Sequence, residues 1–257
     1  MNKIIKPILL ITKNTFKEAI RDKILYGILV FAILFLLSTQ LFASISLGEN
    51  IKVVKDLGLA GIYIFSLIIT IFLGSQIIHR EIENKTLRLL LSKPISIGQF
   101  VIGKFLGLFL SISANVAIMT LIYLTLVKLS GGGFDFISLW SILLLLFELA
   151  ILIALTILFS TFTTPLAGTL YSIIVLYIGH SLEMLKQATQ VSSALIKWLA
   201  DLAYYLLPNL EKFNIRNLVV YDFKPGSGTI IYPVLYSILY TGLLLYLSGL
   251  SLKKRDL

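Results

Sequence analysis

The side chains able to do chemistry in this 257-residue chain are few and far apart. There is no cysteine, so no disulfide, thiolate ligand or cysteine nucleophile is available. Two histidines, His79 and His180, and three methionines form no cluster of the soft ligands that a copper conduit would want. Glu148 stands alone in "LLLLFELAIL", where a carboxylate is costly unless it is paired, protonated or facing a cavity. Two roles are open to it, in gating or substrate passage and in a structural hydrogen bond within a helix bundle. His180 could bind metal or titrate, and its isolation favours a structural hydrogen bond. No G-x-x-x-x-G-K-[ST] phosphate loop occurs, because "SGGGF" at 130–134 lacks both the lysine and the strand. A hydrolase would need a nucleophile with its base, and the two histidines are expected on opposite sides of a membrane. The residues thus give no catalytic group, no metal site and no cofactor bound by this chain.

The elements that must position these residues follow from composition. At 58% hydrophobic and 14% charged residues, with a mean hydropathy of +0.95, the chain is an integral membrane protein. A span needs roughly 20 apolar residues, and six runs qualify: Ile24 to Ser46, Leu57 to Ile78, Ile97 to Val127, Leu139 to Phe162, Pro165 to Leu185 and Ile230 to Leu250. All are too long and continuous for barrel strands, so the fold class is all-α with six transmembrane helices in one polytopic domain, 1–257. The third run outreaches the hydrocarbon layer and is expected to tilt or to begin among the headgroups. No small-residue cleavage pattern follows the first apolar run, so that helix is expected to be retained.

Lys and Arg collect on cytoplasmic loops. Six spans put both termini on one side, which holds Lys3, Lys6, Lys13, Lys17, Arg21 and Lys23, then Arg80, Lys85, Arg88, Lys93 and Lys104, then Lys253, Lys254 and Arg255. That is fourteen against eight on the other side, so both termini are expected in the cytoplasm. The net charge of +9 reads as basic cytoplasmic edges facing anionic lipid, with no call for nucleic acid.

Before the first span, 7–22 has helical periodicity. Ile8, Ile11, Thr12, Thr15, Phe16, Ala19 and Ile20 share one stripe, while Lys13, Lys17 and Arg21 recur on another, which predicts an amphipathic helix in the cytoplasmic interface. It serves either as a topological anchor or in gating. In the outer loop, 186–229, Leu195, Trp198, Leu199, Leu202 and Leu206 share a face ahead of Pro208, which predicts an outer-surface helix between spans five and six. Trp198, Tyr204 and Tyr205 suit the outer aromatic belt.

The segment 79–96, "HREIENKTLRLLLSKPIS", interrupts this apolar pattern. The second span can run on through "HREIE". Asn84 and Thr86 suit a break, Leu87 to Leu91 a short helix, and Pro94 ends it. Ser96 and Gln99 form an S-x-x-Q capping box that starts the third span. Leu87, Leu89, Leu90 and Leu91 are more leucine than so short a helix buries on its own chain, which leaves it either lying flat in the interface or docking into a partner's groove. Gly103 and Gly107 spell G-x-x-x-G, a pattern of close helix packing.

"REIENKTLRLLLSKPISIGQFVIGK" resembles the signature of ABC-2-type ABC transporter permeases, R-E-x-E-x-G-T-L, L-L-S-x-P-x-S and F-x-x-G-K. Arg80, Glu81, Glu83, Thr86, Leu87, Leu90, Leu91, Ser92, Pro94, Ser96, Phe100, Gly103 and Lys104 match, and Lys85 stands where the pattern usually has glycine. "FSTFTTPLAGTL", with Gly179 and His180, and "LLPNLEKFNIR" are similar to the subgroup containing the permease of the nitrous oxide reductase copper-maturation transporter. The resemblance implies the permease subunit of an exporter in a prokaryotic cytoplasmic (inner) membrane. ATP and Mg would then be handled by a separate ABC ATPase, and a second permease copy would complete a homodimer or heterodimer. It also implies that a cytoplasmic coupling helix sits in the ATPase, with Arg80, Glu81, Glu83, Asn84, Thr86, Leu87, Arg88, Leu89, Leu90 and Leu91 at that interface. The competing readings are a membrane anchor or scaffold subunit, and a secondary transporter without a dedicated ATPase, although no repeat relates the two halves of the chain.

Overall fold

A computed structural model describes residues 2–46, 49–83, 95–133, 135–188, 194–221 and 223–254. Every regular element among them is helical: α1 (Asn2–Ile20), α2 (Lys23–Ile45), α3 (Asn50–Glu83), α4 (Ile97–Leu129), α5 (Phe136–Phe162), α6 (Pro165–Ala188), α7 (Ala194–Leu206), a 3₁₀ turn (Glu211–Phe213), α8 (Arg216–Val220) and α9 (Ser227–Lys253). Six of them, α2 to α6 and α9, are long and apolar enough to cross a membrane. At 34 residues, α3 is about 51 Å long against about 30 Å of hydrocarbon, so it outruns the layer, as the reading of "HREIE" expects.

Burial sorts the spans. The middle of α5 is enclosed all round, with Leu149, Leu152, Ile153, Ala154 and Ile157 fully buried, which is how a helix at the centre of a bundle reads. It packs against α3, α6 and α9, while α3 also contacts α2 and α4. By contrast α2, α6 and α9 present Phe31, Leu41, Leu166, Tyr177, Tyr232 and Leu239 outward, the surfaces that lipid tails would cover. Small residues set the close approaches. A methyl group on Gly74 would lie 2.0 Å from Thr156 Oγ1, so only glycine lets α3 and α5 meet there.

Polar groups fasten the helices. Gln40 Nε2 of α2 donates to Leu126 O and Ser130 Oγ at the end of α4, both at 2.9 Å. Asp135 caps α5 by accepting from Ser138 N at 3.2 Å, and its other oxygen faces Lys55 Nζ of α3 at 3.4 Å. The capping box starting α4 is present in both directions, Ser96 Oγ accepting from Gln99 N and Gln99 Oε1 from Ser96 N.

The N-terminal helix differs from its expected bounds of 7–22. It begins at Asn2 and runs through Pro7, because a proline this close to the end disturbs only the first turns. Its Ile11, Thr12, Thr15 and Ala19 are buried against α4 rather than turned to lipid. Gly103 and Gly107 make room for them, since added methyl groups would lie 2.7 Å from Ile11 Cβ and 2.5 Å from Thr15 Cβ. In α7, Trp198, Leu202, Tyr205 and Leu206 point outward, so this helix shows its apolar side to its surroundings. It is held to α6 by Lys186, whose Nζ lies 4.1 Å from the Tyr204 ring.

Candidate functional site

Glu148 lies twelve residues from Phe136 at the start of α5, about 18 Å along the axis, and is 1% exposed. It is not alone there. Tyr63 of α3 donates its hydroxyl to Glu148 Oε1 at 3.1 Å, and His180 Nε2 of α6 lies 2.9 Å from the same oxygen and 2.6 Å from the tyrosine. The other imidazole nitrogen, Nδ1, lies 3.0 Å from Glu211 Oε2 in the 3₁₀ turn. Four elements therefore meet at one imidazole.

Local structure explains the meeting. Pro208 closes α7, and the chain turns back so that Leu210 N donates to Gly179 O at 3.1 Å, one residue before His180. A methyl group on Gly179 would lie 2.7 Å from Pro208 O, so glycine admits the returning chain. Asn209 N donates to Tyr236 OH at 3.0 Å, and Ser237 Oγ donates to Phe147 O at 2.7 Å, which ties α9 to the same level of α5.

Hydrogen-bond arithmetic constrains the cluster. Both imidazole nitrogens face carboxylate oxygens, and an ionised carboxylate only accepts. Closing every contact therefore takes one proton more than a neutral imidazole with two carboxylates supplies. Beside the cluster is a cavity of about 230 Å³, lined by Tyr63, Glu148, His180, Asn214 and Arg216 and walled by Leu59, Ile62, Leu145 and Phe213. Arg216 Nε lies 3.6 Å from Asp56 Oδ1 at its edge. The volume is below the roughly 300–1,000 Å³ of sites for drug-sized molecules. The arrangement can hold a small polar group or several waters.

At the opposite end of the bundle, three of the sequence-predicted interface residues are described. Glu81 Oε1 accepts from Lys104 Nζ at 2.5 Å, and Glu18 Oε2 lies 3.4 Å from the same ammonium, which is 2% exposed. Arg80 donates to Asp22 Oδ2 at 3.0 Å and also to Gln76 Oε1. Glu83 is exposed and lies 3.0 Å from His79 Nε2. Asn84, Thr86, Leu87, Arg88, Leu89, Leu90 and Leu91, with the short helix expected over them, lie outside the described residues.

Sequence reasoning named Glu148 and His180 separately and did not join them. It missed Tyr63 and Glu211 as their partners, and Glu18 and Asp22 as partners of the signature residues Lys104 and Arg80. One signal for Glu211 was present, the pairing of "GH" with "LLPNLEKFNIR" in a single resemblance. Compared with known proteins, residues 9–257 match the family model described as ABC-2 family transporter protein. No curated protein matches the chain.

Proposed function

Because this membrane-spanning chain belongs to the ABC-2 transporter family, we propose that it is the permease subunit of an ATP-driven exporter. It forms the translocation path, and ATP hydrolysis takes place on a separate nucleotide-binding subunit that carries the ATP and Mg. Two permease copies, identical or not, complete the path in a prokaryotic cytoplasmic membrane, with both termini in the cytoplasm.

One observation carries the reading. Glu81 belongs to the first part of the signature and Lys104 to the last, and their side chains meet in an ion pair to which α1 adds Glu18. The ends of α1, α3 and α4 are thereby held as one body on either side of residues 84–94. A partner that pushes on that segment pushes three helices together, which supports rigid-body rocking as the transmitted motion. Glu148 and His180, on α5 and α6, are the proposed gating residues, placed where relative helix motion would open or close their cavity.

The finer likeness to the nitrous oxide reductase maturation subgroup rests on the stretches that meet at His180 and Glu211. It names no cargo, since the chain has no cysteine and few methionines with which to pass a soft metal ion.

Copurification tests the proposal. The chain is expected to bring down an ABC ATPase whose activity depends on it, and Leu89→Asp with Leu90→Asp to abolish that association while the chain remains folded. A folded double variant that still holds its ATPase would overturn the coupling assignment.

A further inference from the structure

We propose that the outward face of α1 is a binding surface for the headgroups of anionic phospholipids. At about 100° per residue, α1 divides into three sectors. Ile11, Thr12, Thr15 and Ala19 are buried on α4. Next to them lies an apolar sector, Ile5, Leu9, Phe16 and Ile20, of which Ile5 is 46% and Leu9 60% exposed. The third sector holds the exposed Lys6, Lys13 and Lys17, with Leu10 among them at 61% exposure.

The acids of this region do not offset those lysines. Glu18 turns inward to Lys104, and Asp22 pairs with Arg80 and accepts from Ile24 N. The outward stripe is left uniformly positive beside an apolar one. That pairing selects the occupant. An acidic soluble protein would match the lysines and leave Leu9 and Ile5 in water, and a second copy would bring lysine against lysine. The boundary between headgroups and acyl chains satisfies both sectors at once. Because Glu18 contacts Lys104 of α4 and Asp22 pairs with Arg80 of α3, a lipid held on the stripe is held on the body that these helices form.

The leaflet rests on the proposed topology, but the binding does not, and neither an ATPase nor a cargo enters its test. The full chain is reconstituted in vesicles of phosphatidylcholine and phosphatidylglycerol in equal amounts, so that both leaflets are anionic. Spin-labelled phosphatidylglycerol and spin-labelled phosphatidylcholine are compared for the motionally restricted fraction. The wild-type chain is expected to prefer phosphatidylglycerol by at least about fivefold. Lys6→Gln, Lys13→Gln and Lys17→Gln together bring the preference close to one, while the three Lys→Arg replacements keep it. These side chains are exposed, and unchanged helicity and elution confirm that the variants are folded. Equal restriction of both lipids by the wild-type chain, or a preference that survives the triple glutamine variant, would overturn the proposal. So would a photoreactive residue at Leu10 that couples to a second copy or to an ATPase instead of to phospholipid.

Discussion

Two clusters of charge, one around the buried Lys104 and one around the buried Glu148, cross-link this bundle, and they are built differently. At the signature end, Lys104, Glu81, Glu18, Arg80 and Asp22 pair cation with anion, and the void beside Arg80 and Asp22 is about 10 Å³, room for at most about one water. At the other end, Glu148, Glu211, His180 and Tyr63 set two carboxylates on one imidazole and border a cavity of about 230 Å³. The first is complementary and filled, as a fastener must be. The second sets two acids on one base and keeps unfilled volume, which suits a place that changes its contacts when helices move.

If the first cluster is a fastener, removing its centre should cost most. Lys104→Met leaves Glu81, 14% exposed, without its closest cation, and loss of one partner of a buried pair costs about 3–5 kcal/mol. Glu18 is 37% exposed and adds at most about 1 kcal/mol to this. The variant is expected to unfold at a clearly lower temperature in detergent, and Glu81→Gln in the same chain to recover part of the loss. Unchanged melting would show that the joint holds nothing.

Gly107→Ala comes next. The new methyl group would meet Thr15 Cβ at 2.5 Å and Thr12 O at 2.8 Å, so α1 must lift from α4. Overpacking of this kind costs about 1–3 kcal/mol. Protease cleavage within α1 should accelerate, while Gly249→Ala, with nothing within 4 Å of its added methyl group, should leave both melting and cleavage unchanged.

What was legible in the sequence is unequal between the two ends. Six spans, the run of α3 through Glu81 and the Ser96–Gln99 box were readable because length, periodicity and caps are local properties. G-x-x-x-G showed that something packs closely on α4 but not that α1 is the partner, since a spacing of small residues carries no name. That His180 meets Glu211 was not legible for a related reason. Their contact depends on a chain reversal after Pro208 and on the bare Cα of Gly179, neither of which leaves a period in the sequence. Lone polar residues in apolar runs announce that they need partners without saying which.

Ser96→Ala is smaller again. It removes one direction of the capping box and costs about 1 kcal/mol, confined to the first turn of α4. Faster hydrogen exchange of the Gln99 and Phe100 amides, with slow exchange deeper in α4, is the expected pattern. Spreading of the effect to Lys104 would mean that the cap and the joint form one unit.

The smallest change in stability is expected at Glu148→Gln, and it separates the two clusters most sharply. Glutamine keeps the shape and still accepts from Tyr63, and the imidazole keeps the second carboxylate, Glu211, so melting should stay within about 1 kcal/mol of the parent. Yet His180 would keep only Glu211 as a charged partner, and Glu211 sits in the turn that borders the cavity. A charge-assisted contact replaced by a neutral one loses about 1 kcal/mol locally, enough to open that border about fivefold more often. The chain contains no cysteine, so Ser141→Cys places a single reporter in the cavity wall. A membrane-impermeant maleimide should label it about fivefold faster when Glu148→Gln is present and at an unchanged rate when Lys104→Met is present. Should Lys104→Met accelerate labelling and Glu148→Gln depress melting instead, the fastener and the moving part have been assigned the wrong way round.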